Sequence, residues 1–120
     1  VPAGAAATFT QTPRLITLAP ATCSDLELYV HGRITVTTSA AVLVFTHETQ
    51  HARLDANWRD ETATECRAIA QTPRTISMLG VTKKTAVAKT MYLAGFVHRA
   101  MRAVDGYGDY VCPLVSADQG

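Results

Sequence analysis

From residue 37 onward, the apolar positions of the chain recur every three or four residues. That is the period of a helix with one buried face. In TTSAAVLVFTHETQHARLDA (37–56) the spacing puts Ala40, Val44, His47, His51 and Leu54 on one side, with Thr38 or Ser39 as candidate cap. LDAN is the turn, and Asn57 can cap a second helix in WRDETATECRAIAQTPRTISMLG (58–80). Pro73 kinks or divides that segment, and Gly80 is its natural stop because glycine tolerates the left-handed conformation that closes helices. A third helix is predicted in VTKKTAVAKTMYLAGFVHRAMRAV (81–104), capped by Thr82, with Val87, Met91, Ala94, Val97 and Met101 along one stripe.

Before residue 37 the pattern changes. TFTQTPRLITLAP (8–20) is rich in β-branched and aromatic residues and is interrupted at Pro13, which predicts one or two short strands ending at Pro20. ATCSDLELYV (21–30) reads as a short helical turn closed by Gly32. The expected fold is therefore α+β and predominantly helical, with short N-terminal strands followed by three main helices. Residues 1–120 form one domain by length, with 1–13 as a candidate loose N-terminal segment.

Charge narrows the functions. The net charge is +1 and the basic residues are scattered, which argues against a nucleic-acid or anionic-membrane surface. No apolar run has the length of a membrane span. VPAGAAATFT lacks a basic start and an apolar middle, which leaves a cytosolic protein or a chain that begins after processing. Cys23, Cys66 and Cys112 are widely spaced, so one disulfide at most can form within the chain, with three pairings open.

The chemistry concentrates in the first long helix. His47-Glu48-Thr49-Gln50-His51 has the form H-E-x-x-H. Residues four apart on a helix lie one turn above each other, so His47 and His51 can offer two imidazoles to one cation. Zinc suits nitrogen ligands, and a catalytic zinc site keeps three protein ligands and one open position. Glu48, about 100° around the helix from His47, is placed to act as a general base on water. Past the turn, Glu61 and Glu65 share a face of the second helix. Glu61 is the candidate third ligand. Glu65 is the candidate acceptor for a spare imidazole N–H, and the reverse assignment stays open. Tyr107, Tyr110, Tyr92 and His98 are candidate oxyanion donors.

The pair His47-Glu48-x-x-His51 and Glu61-x-x-x-Glu65 resembles the gluzincin branch of zinc peptidases. More closely, AVLVFTHETQH, DETATECRAIAQ, the upstream RLITLAPATCSDL and Cys112 look like a group of small secreted actinobacterial proteins. Those share an HExxH, a D-E-x-x-A-E-C segment and scattered cysteines. The likeness runs from about residue 14 onward. It implies a zincin active-site helix, a peptide or protein substrate and a secreted or extracytoplasmic location. The chain departs from the group at Thr64, where Ala is common, and in a longer turn between His51 and Glu61. It lacks the xxGxxH extension of metzincins. Two readings follow: a zinc-dependent peptidase, or a non-catalytic zinc-binding or protein-interaction domain with a structural metal between two helices. Oligomeric state is left open.

Overall fold

The computed structural model describes residues 6–10, 15–53 and 61–104, with backbone alone at 61, 62 and 101–104. Strands β1 (Ala7–Thr10) and β2 (Leu15–Leu18) pair antiparallel, with Ala7 opposite Leu18 and Thr10 opposite Leu15. Four helices follow among the described residues: α1 (Pro20–Val30), α2 (Val36–Arg53), α3 (Glu61–Met78) and α4 (Lys84–Val104). The predominantly helical architecture with a small N-terminal sheet agrees with the sequence pattern. None of the described helices is long and apolar enough to cross a membrane.

The difference lies in α1, expected as a single turn and found as an 11-residue helix. Pro20 sits at its start, where a missing N–H costs nothing. Its apolar residues follow no helical period, which hides it, and only Thr22 and Tyr29 are buried. The Thr22 hydroxyl donates to the Ala6 carbonyl at 2.8 Å, tying α1 to the sheet. Residues 33–37 form no strand, because α2 begins at Val36.

Both glycine stops are as expected. Gly32 and Gly80 have φ of +99° and +86°. Behind each, the last carbonyls are closed by a paired motif. Gly80 N–H donates to Ser77 and Val81 N–H to Ile76, and Gly32 N–H to Tyr29 and Arg33 N–H to Leu28. The start of α2 differs from expectation. Thr35, rather than Thr38 or Ser39, is the cap: its hydroxyl accepts from the Thr38 N–H at 3.2 Å, and the Thr38 hydroxyl accepts from the Thr35 N–H at 2.9 Å. This reciprocal box satisfies two N–H groups that a helix start leaves bare. Thr35→Ala is expected to cost about 1 kcal/mol of stability, read as a lowered urea midpoint with unchanged slope.

Helix α2 is central and touches both strands and the other three helices. Its burial therefore extends beyond one stripe, taking in Thr38, Ser39, Ala41, Val42, Leu43, Thr46 and Gln50 as well as both histidines. The α3 helix runs through Pro73, which is exposed. In α4, Val87 and Met91 pack against a cluster of Tyr29, Val42 and Ile76. Ala94 belongs to a second cluster with Leu43 and Ala68, against which Val97 packs.

Much of the interior is hydroxyl-bearing. Thr46, Thr72 and Thr90 are fully buried, and each donates to the carbonyl four residues back, which satisfies the hydroxyl within its own helix. The remaining lone pairs then accept across helices. The Thr46 and Thr75 hydroxyls are hydrogen-bonded at 2.8 Å, and Tyr29 donates to Thr90 at 2.8 Å. Burial pushes the Tyr29 phenol above its ordinary pKa, which keeps it a donor.

Candidate metal centre

The polar site is a layer stacked directly on the Leu43–Ala68–Ala94 cluster. His47 lies one turn after Leu43, Glu65 one turn before Ala68, and His98 one turn after Ala94. Two alanines in the layer below let α3 and α4 come close to α2. The three polar side chains meet as a result.

His47 and His51 are both buried, at 8% and 5% exposure. Their Nε2 atoms are 3.1 Å apart and the rings meet edge to face, centroids 4.8 Å apart. Two nitrogens bound to one zinc at about 2.0–2.1 Å in a tetrahedron would sit about 3.3–3.4 Å apart, close to the spacing of this pair. One ligand atom from each of His47, Glu48 and His51 lies within 4.8 Å of the others. The H-E-x-x-H segment is thus a group that could hold a metal ion. Glu48 is only half-buried, which leaves it a path to solvent.

Glu65 is 1% exposed and its two oxygens are both engaged. Oε2 is 2.6 Å from His47 Nδ1, and Oε1 is 3.0 Å from His98 Nδ1. Burial alone would raise the pKa of this carboxyl. Hydrogen bonds and charge from His47 and His98 outweigh it and hold the group below its ordinary value. An ionised carboxylate only accepts, so each imidazole carries its proton on Nδ1 toward Glu65. For neutral His47 this leaves Nε2 as an acceptor, 3.1 Å from His51 Nε2. That is the tautomer a metal ligand needs.

The other predicted residues fall elsewhere. Glu61 begins α3, one turn before Glu65, and its side chain lies outside the described residues, as do Tyr107, Tyr110, Asn57, Trp58 and Cys112. Tyr92 is on α4 but 73% exposed. His98, considered as an oxyanion donor, is buried with Nδ1 against Glu65. His31 is exposed and bonds its own helix at the Glu27 carbonyl. Cys66 is disulfide-bonded, while Cys23 is an exposed free thiol.

Two neighbours of the site were not foreseen. Phe9 of β1 stacks on His51, centroids 6.4 Å apart and planes 8° from parallel, which brings the small sheet against the centre. The His98–Glu65 contact was also missed. Thr90, Ala94 and His98, every fourth residue, share the buried face of α4, but that spacing does not point to Glu65.

No family model, curated protein or solved structure matches this chain.

Proposed function

We propose that the protein is a zinc-dependent peptidase of gluzincin type, acting outside the cytoplasm on peptide or protein substrates. The observation that carries this reading is the pair of Nε2 atoms 3.1 Å apart with the Glu48 carboxylate beside them. His47 and His51 would hold the ion through Nε2. Glu61 is the proposed third ligand, since it lies one turn from Glu65 on the same helix and both Glu65 oxygens are already taken by imidazoles. A zinc ion there would polarise a peptide carbonyl and acidify its water.

The chain's own residues would do the rest. Glu65 keeps the His47 proton on Nδ1 and so keeps Nε2 available. Glu48 accepts a proton from the attacking water at its carboxylate and hands it to the departing amine. Phe9 fixes the plane of His51. The Cys66 disulfide supports an oxidising compartment, where such bonds persist.

Glu48→Gln tests the assignment, because it keeps shape and removes the base. Expected is unchanged zinc stoichiometry with peptide hydrolysis lowered about 10²–10⁴-fold. Zinc binding with no hydrolysis in the unaltered protein, across a mixed peptide library, would favour a structural metal joining helices instead.

A further inference from the structure

We infer that His98 is a positioning residue of the His47–His51 centre, acting by fixing the Glu65 carboxylate that orients His47. The inference rests on the metal-site reading for its consequence, but the geometry stands without it.

A carboxylate held by one hydrogen bond can still turn about its last torsion. Glu65 is held at both oxygens, by imidazoles from two different helices: His47 of α2 at 2.6 Å and His98 of α4 at 3.0 Å. Two bonds of different direction define the plane of the carboxylate, and that plane sets where the His47 ring points. The side chains of His47, Glu65 and His98 are 10%, 1% and 10% exposed, so water competes weakly for either bond. Leu43, Ala68 and Ala94, one turn away, form a packed floor that fixes the spacing of the helices bearing them. The role also explains why a histidine occupies the buried face of α4, where Thr90 and Ala94 precede it. His98 does not enter the group of donor atoms around His47, Glu48 and His51. It acts on that group through Glu65 and does not act as a ligand.

The chemistry predicts which replacements serve. The side-chain amide of Asn can put an N–H where imidazole Nδ1 lies. The longer Gln displaces its amide, and Leu has no donor. The experiment compares the unaltered protein with His98→Asn, His98→Gln and His98→Leu, each checked for helical content. Zinc affinity is measured by competition with a chromogenic chelator. The His47 ring is followed by ¹⁵N NMR in metal-free protein. Expected is a His47 Nδ1–H signal, protected from exchange, in the unaltered protein and His98→Asn, and its loss or displacement in His98→Leu. Zinc affinity should fall about 10–100-fold in His98→Leu and recover in His98→Asn.

If His98→Leu does not fold, the contrast of Asn with Gln decides in its place. Equal His47 signals and equal zinc affinities across the variants overturn the inference. Absence of zinc binding in the unaltered protein would instead overturn the metal reading, and the NMR comparison would still decide the role of His98.

Discussion

Glu65→Leu is expected to lower folding stability by about 3–5 kcal/mol, the loss typical when one partner of a buried charged network is removed. Leucine resembles glutamate in bulk, so lost packing is not the main reason. His47 and His98 would each keep a buried Nδ1–H with its acceptor gone. The cost of leaving such donors without partners exceeds the modest worth of the bonds themselves. Glu65→Gln is the milder change. Its carbonyl still accepts one N–H, but its amide faces the second imidazole as donor against donor, so that ring must turn or move its proton to Nε2. Urea unfolding of the three proteins at neutral pH should rank them unaltered, Gln, Leu. Near-equal midpoints would show that the carboxylate carries little of the fold.

The same residue sets a pH dependence. The Glu65 carboxyl titrates below its ordinary value when folded, so between the two values the unfolded chain binds more protons than the native one. Its contribution to stability is therefore complete above the unfolded value, about 4.3, and is lost as pH falls through the lowered folded value. Glu65→Gln removes this titration. Unfolding midpoints measured from pH 6 down to pH 3 should fall more steeply for the unaltered protein than for the variant, and parallel curves would contradict the assignment.

Parts of this arrangement could be read before any coordinates. The H-E-x-x-H spacing placed two imidazoles together because a helix repeats nearly every four residues, a rule that depends on nothing outside the helix. Gly32 and Gly80 were legible for a similar local reason: each takes a positive φ at a helix end. The α4 stripe of Val87, Met91, Ala94 and Val97 was legible because its core face is conventionally apolar. Helix α1 was not, since it buries little more than Thr22 and Tyr29 and carries no apolar period. The threonine-lined interior was invisible too. A buried Thr that bonds its own helix looks, in sequence, like a solvated one. The Glu65–His98 bond joins residues 33 apart and depends on how α3 and α4 pack, which no local spacing encodes.

Zinc is expected to raise the thermal midpoint by roughly 10 °C when present at about a hundred times its dissociation constant. A ligand that binds the native state alone adds about 2.7 kcal/mol at that excess, and one kcal/mol is worth roughly 4 °C in a chain of this size. The shift should nearly vanish in His47→Ala and in His51→Ala, because each removes one of the two Nε2 atoms that now sit 3.1 Å apart. Thr35→Ala serves as control. It lowers the starting midpoint through the helix cap, far along α2 from the centre, and should show the full zinc shift. The comparison separates binding at this centre from zinc captured elsewhere, for instance by the exposed Cys23 thiol or by His31. A shift of equal size in His47→Ala would place the metal outside the H-E-x-x-H segment, and the proposed peptidase would lose its catalytic centre. A shift confined to the intact pair would tie zinc to the two imidazoles whose spacing the α2 helix imposes.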